Sequence, residues 1–165
     1  MSRLMPILLL ALAACAAPKP PESPGFRRAG TPIYSNAVFD AARLEGDWVQ
    51  VAGFGAGCRP GGVSFVGGQV RTKLCLGGRE QAFAGAFAVT GPGRLALRGA
   101  APDGIGAPWW VIWVDTDYRT LAIGTPDGSF GFLLNRGGPL PADRLTAARE
   151  IFEWNGYDLS RLTVY

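Results

Sequence analysis

From Val38-Phe39 onward, short apolar runs alternate with glycine-rich breaks, and the runs have the length of strands rather than helices. Strands are predicted at Gly46–Gly55, Val63–Val66, Gln69–Leu76, Glu80–Thr90, Gly93–Arg98, Trp109–Asp115, Arg119–Thr125 and Ser129–Asn135. The breaks at Gly67-Gly68, Gly77-Gly78, Gly91-Pro92-Gly93 and Pro126-Asp127-Gly128 carry tight-turn residues, as a meander of antiparallel strands requires. About eight such strands close an up-and-down antiparallel β-barrel, whose interior is just wide enough for side chains or one small ligand. The period then changes to a helical one. Leu145, Ala148 and Ile151 or Phe152 share one face between Pro141 and Trp154, with Pro141 suited to the first turn and Gly156 just past the end. The predicted fold is therefore all-β, an eight-stranded barrel with one C-terminal α-helix packed on its outside, and a short last strand at Leu159–Tyr165 that can add to an edge.

The first part of the chain follows different patterns. Residues 1–14 carry Arg3, then an apolar run from Leu4 to Ala14, far short of the roughly 20 residues that span a bilayer, so they read as an export signal. Leu12-Ala13-Ala14-Cys15 resembles the lipobox of bacterial lipoproteins, in which the cysteine becomes the acylated N-terminus. That resemblance implies lipidation at Cys15, and Ala16 rather than aspartate after it implies the periplasmic face of the outer membrane. Residues 15–36 are rich in proline, alanine, serine and arginine, and are expected to form an extended tether between the anchor and a barrel domain at 37–165.

Composition narrows the chemistry. The chain of 165 residues suits one core, and with 48% hydrophobic and 18% charged residues it is not a disordered segment, despite 24 glycines and 13 prolines. The net charge of +3 comes without any basic cluster interleaved with aromatics, which argues against nucleic acid as a partner. No histidine is present, so the commonest general base and metal ligand are both missing. Three cysteines without a Cys-x-x-Cys pair argue against zinc, and no cofactor or metal is expected.

Three motifs then occur in order at strand-sized spacings. Phe39 and Leu44 precede Gly46-Asp47-Trp48; Thr116-Asp117-Tyr118 forms the turn between the sixth and seventh strands; Arg136 closes the eighth strand ahead of the helix. Together these resemble the three signatures of the lipocalin family. The pattern is similar to its apolipoprotein D-like branch, which includes bacterial outer-membrane lipoproteins. The resemblance implies that Arg136 covers Trp48 at the closed end of the barrel, through a cation–π contact and donors to carbonyls. Gly46, Trp48, Thr116, Asp117, Tyr118 and Arg136 are then structural. With strand one leaving the closed end, the loop carrying Cys58 and the end of strand three carrying Cys75 meet at the open rim. A Cys58–Cys75 disulfide is the expectation in an exported protein.

Alternation from Trp48 and Arg136 predicts an inward set of Ala52, Phe54, Phe130, Phe132 and Leu134. Counting from the Thr-Asp-Tyr turn by resemblance adds Trp109, Val111, Trp113, Ala122 and Gly124. Val70 with Leu74, Phe83 with Phe87, and Leu95 with Leu97 are placed inside as pairs sharing a face. The ligand-lining residues proposed are Phe54, Leu74, Phe83, Phe87, Leu97, Trp109, Val111, Trp113, Phe130 and Phe132. Such an apolar, aromatic interior suits a fatty acid, a lysophospholipid or a similar lipid, and Arg59, Arg79 and Arg98 near the rim can meet a phosphate or carboxylate head group. Two alternatives stay open. The same side chains can fill the barrel as a solid core, leaving an inhibitor or envelope-interaction module. An enzyme would have to use a carboxylate such as Asp103 or Asp127, with nothing in the sequence to pair with either.

Overall fold

The computed structural model describes residues 25–102 and 104–165; the lipidation site expected at Cys15 and the export signal lie outside the described residues. The strands are β1 (Gly46–Phe54), β2 (Gly62–Val66), β3 (Gln69–Leu76), β4 (Arg79–Gly91), β5 (Arg94–Arg98), β6 (Trp109–Val114), β7 (Thr120–Gly124), β8 (Gly131–Asn135) and β9 (Leu162–Val164). The helix α1 spans Ala142–Trp154, and a 3-10 helix at Ala41–Leu44 leads into β1. From β2 to β8 each strand pairs antiparallel with the next, and β1 pairs with both β8 and β2, which closes the eight-stranded barrel. β9 pairs with the upper part of β1, Ala52 to Phe54, where β2 has already turned away. The barrel, the single helix behind it and the short last strand are as the hydrophobic pattern predicts.

Where β2 departs, the backbone of Cys75 on β3 loses its sheet partner. Gln50 replaces it: its side-chain amide donates to the Cys75 carbonyl and accepts from the Cys75 N–H, both at 2.8 Å. The carboxamide thus stands in for a missing peptide unit, which is why a fully buried glutamine is tolerated there. Cys75 is also joined to Cys58 by the expected disulfide, with Cα atoms 5.6 Å apart.

Two apolar clusters lie on either side of the barrel wall. The inner one contains Trp48, Phe65, Val70, Leu74, Phe83, Leu95, Trp109, Val111, Leu121, Ile123, Phe130, Phe132 and Leu134, among others. The outer one packs Ala148 and Phe152 of α1 against Phe26, Ala52, Phe54, Ile112, Ala122, Leu133 and Tyr157.

Five residues expected inside belong to the outside. Ala52 and Phe54 face the helix because β1 carries a bulge. Gln50 pairs with Leu134 but Ala52 pairs with Leu133, so Val51 is an extra residue and the alternation inverts beyond it. Phe54 then meets Phe152 edge-on at 5.0 Å and Tyr157 at 4.7 Å. Trp113 is displaced in the same way, by Ile112 between the Val111–Ile123 and Trp113–Ala122 pairs. Ala122 follows Trp113 outward, and Gly124 faces Tyr157, whose Oη would lie 2.6 Å from any Cβ there.

The segment 25–36, assigned from its composition to the tether, is docked on the barrel rather than extended away from it. Phe26 N–H donates to Gly128 O at 2.6 Å, and Phe26 O accepts from Asp158 N–H at 2.9 Å. The buried Arg27 guanidinium reaches the carbonyls of Asn155, Pro126 and Thr31. Proline limits the conformations of this stretch, but its buried ring and guanidinium give it a surface to settle on. The docked region therefore begins by Gly25 among the described residues, ahead of the boundary expected at 37.

Candidate functional site: a barrel closed at both ends

The closed end is assembled from three elements. Asp40 caps the 3-10 helix, its carboxylate accepting from Ala42 N–H at 3.0 Å, and the helix points Leu44 into the barrel. Gly46, at φ 106°, turns the chain from that helix into β1, a conformation that a side chain rarely adopts. Trp48 then lies beneath Leu44 and donates its indole N–H to the Leu44 carbonyl at 2.8 Å.

Arg136 seals this end from outside. Its guanidinium sits 4.1 Å over the Trp48 ring and donates to the carbonyls of Tyr118, Glu45 and Arg43 at 2.8, 2.7 and 3.0 Å. Burial, and secondarily the Arg43 guanidinium, lower its pKa from the usual arginine value. The Tyr118 ring stacks on Phe39 at 5.9 Å and carries Arg43 at 3.8 Å on its face, while its hydroxyl accepts from Asp40 N–H. The Thr116-Asp117-Tyr118 turn braces the cap through Tyr118, and Arg144 of α1 reaches Asp117 at 3.7 Å from the other side. Arg136 over Trp48 is the arrangement expected from the sequence.

The open end is closed too, by a different construction. The connection from β5 to β6 folds inward so that Ile105 joins the barrel cluster. Ile105 N–H donates to Gln81 Oε1 at 2.9 Å, and its carbonyl accepts from the Trp109 indole at 2.9 Å. Below it, Trp109 meets Phe132 edge-on at 5.2 Å and Phe130 at 6.4 Å. Trp109, Val111, Leu74 and Phe132 are each 0% exposed. A water-sized void against any of them would leave accessible area on that side chain, so this part of the wall is filled by neighbouring side chains. Residual exposure on the inner face is found instead at Phe83, Phe87 and Leu97, on β4 and β5.

Of the ten residues expected to line a ligand site, eight are brought together here: Leu74, Phe83, Phe87, Leu97, Trp109, Val111, Phe130 and Phe132. Phe54 and Trp113 are not, for the reason given by the two bulges. Several lining residues escaped the sequence reading. Val63 and Phe65 share the period-two pattern of β2 and were legible; Leu121 and Ile123 follow once the β6 bulge resets the phase. Ile105 had only a weak signal, a lone large apolar residue in a loop of glycine, alanine and proline. Arg59, Arg79 and Arg98 are exposed at the open end. Among the described residues, no group of three or more His, Cys, Asp or Glu side chains could hold a metal ion.

A search of curated proteins found no match to the chain. The family model described as a lipocalin-like domain matches residues 95–165, which runs from β5 through α1 to the last strand. Among solved structures, lobster apocrustacyanin A1 is 20% identical, over 76% of this chain and 78% of its own, with a TM-score of 0.50. The barrel has the lipocalin fold. Apocrustacyanins C1 and C2 are 19% and 20% identical, each over 74% of this chain and 76% of theirs, with TM-scores of 0.48 and 0.47. At such identities the likeness to solved structures concerns the fold alone. A lipocalin barrel suggests, in general, the binding of small hydrophobic ligands, and family members are typically carriers rather than enzymes.

Proposed function

We propose that this lipocalin is a lipid-anchored carrier of small apolar molecules with an acyl-chain-like body, on the periplasmic face of a bacterial outer membrane. The observation that carries the reading is Ile105: an aliphatic side chain on a short turn occupies the mouth of an aromatic-lined barrel and, among the described residues, its backbone is tied to the barrel by two hydrogen bonds to side chains. Withdrawing Ile105 exposes about 1.5–3 kcal/mol of apolar surface and breaks two bonds of about 0.5–1.5 kcal/mol each. At ~0.8 kcal/mol per buried methylene, roughly six methylenes of an entering chain offset that cost. Fatty acids and lysophospholipids exceed this length, and their charged head groups would meet Arg59, Arg79 or Arg98 at the rim. The mechanism is reversible partition, with no covalent step and no catalytic residue.

Acylation of Cys15 supplies the anchor in this reading. It predicts incorporation of labelled palmitate into the wild-type chain and none into the Cys15→Ser variant. The carrier function is tested by titrating the delipidated domain with a fluorescent fatty acid while following Trp109 emission. Saturable quenching at micromolar or lower concentration supports it, and no saturable uptake contradicts it. A second reading, an envelope-interaction module with a permanently filled core, is favoured by the complete burial of Trp109 and Val111. Under that reading Ile105→Ala changes stability without creating any uptake.

A further inference from the structure

Polar side chains on the otherwise apolar inner wall include Gln50 and Gln81, which are hydrogen-bonded, and Thr72, which is not. On β3, Val70, Thr72 and Leu74 are buried on one face while Arg71 and Lys73 are exposed on the other, so Thr72 points into the barrel. It stands directly opposite Val63 on β2 and Phe83 on β4. Thr72 is 3% exposed, and its Oγ1 has no hydrogen-bond partner. Buried hydroxyls are ordinarily paired, because an unmade hydrogen bond in an apolar surrounding carries the full desolvation cost. The neighbouring polar side chain, Gln50, obeys that rule by bonding Cys75. Among the described residues one other buried side-chain polar atom lacks a partner, Arg144 Nη1, and it belongs to the outer surface beside Asp115.

The wall next to Thr72 sets a glycine beside a large ring. The inward position of β4 after Phe83 is Gly85, and the Phe83 ring lies across it, so that a Cβ at Gly85 would stand 2.6 Å from Phe83 Cζ. Near it, Phe87 and Leu97 are only partly buried and Phe83 keeps 8% exposure. A swing of the Phe83 ring off Gly85 therefore opens a notch beside the unpaired hydroxyl. Phe83 lies four residues along β4 from Arg79 at the rim, a depth of about 13 Å at roughly 3.3 Å per residue.

We infer that the barrel takes acyl chains bearing one hydrogen-bonding oxygen, a hydroxyl or keto group, part-way along the chain, with Thr72 Oγ1 as its partner. A threonine hydroxyl donates to a keto oxygen and either donates to or accepts from a hydroxyl, so both groups satisfy it. The inference rests on the carrier reading and narrows its ligand class. It predicts that Thr72 is retained at the expense of the unliganded protein's stability.

The test compares three probes by tryptophan quenching: octadecanoate and its mid-chain hydroxy and mid-chain oxo derivatives. Wild-type protein should bind at least one oxygenated acid about fivefold or more tighter than octadecanoate, the effect of one neutral hydrogen bond. Thr72→Val should abolish that preference, leave octadecanoate affinity within about twofold, and raise the melting temperature of the empty protein. Thr72→Ser, which keeps the hydroxyl, should keep the preference. Equal binding of all three acids by the wild type overturns the inference while leaving the carrier reading standing, as does a preference that survives in Thr72→Val. Absence of binding by all three overturns both.

Discussion

The two ends of the barrel use the same device with different reinforcement. At each, a segment just ahead of a strand inserts an aliphatic side chain, and a tryptophan four residues later donates its indole N–H back to that residue's carbonyl. Leu44 and Trp48 do this at one end, Ile105 and Trp109 at the other. Outside Trp48, Arg136 adds a ring contact and three carbonyl bonds, and Tyr118 and Phe39 stack beside it. Outside Trp109, Ile105 has the Gln81 side chain and a short turn closed by Gly106 N–H to Pro102 O and Ala107 N–H to Gly104 O. Equal local geometry carries unequal bracing: a guanidinium with three carbonyl bonds backs one plug, and nothing comparable among the described residues backs the other. In the carrier reading proposed above, the direction of ligand entry follows from this difference, not from the aromatic lining that the two ends share.

The largest effect should come from attacking the braced end. Trp48→Ala removes a buried ring and the face on which Arg136 rests, and should cost about 3–5 kcal/mol in a urea melt. A loss below about 1 kcal/mol would mean that the Arg136 cap holds the end without the ring. Next, replacing Cys58 and Cys75 by serine frees the loop that joins β1 to β2 at the open end, closed across a separation of 17 residues. The expected loss is ~3 kcal/mol, with faster ligand exchange as its companion.

A third effect appears with pH. Tyr157 accepts from Thr125 N–H and donates to Phe130 O, each at 2.8 Å, tying the β7–β8 turn at the open end to the outer layer. Burial is the main reason that its pKa is raised to about 12. The unfolded chain loses the phenolic proton near pH 10 while the folded one still holds it. The stabilisation is thus complete below pH 10 and falls away as pH rises to about 12, by roughly 2–3 kcal/mol in all. In Tyr157→Phe this alkaline loss should be absent from melts taken across that range. The smallest effect is expected at the unbraced end. Ile105→Ala should cost about 2 kcal/mol, the low end for such a truncation because a loop can settle into the space, and should speed ligand uptake.

Much of this molecule was legible in its residues, and the misses have specific causes. Strand boundaries agree to within two residues at most ends because glycine pairs mark the turns that bound them, as at Gly67-Gly68 and Gly77-Gly78. Arg136 over Trp48 was readable from the resemblance of the three ordered motifs, with which the need of a strand-end cation for a face and acceptors agrees. The inward set failed at Ala52, Phe54, Trp113, Ala122 and Gly124 because period-two counting has no means of detecting one inserted residue, here Val51 and Ile112. Ile105 was invisible as a plug, since its burial depends on the path of a loop that has no periodicity. The docking of Phe26 and Arg27 was hidden by the proline-rich composition around them, which limits conformation but does not prevent contact.

The unequal ends can be read from two protons. In hydrogen-exchange NMR of the folded domain, the Trp109 indole N–H should exchange faster than that of Trp48, and addition of a long-chain fatty acid should change Trp109 alone. Equal protection of the two indoles, unaltered by the acid, would contradict an opening at Ile105.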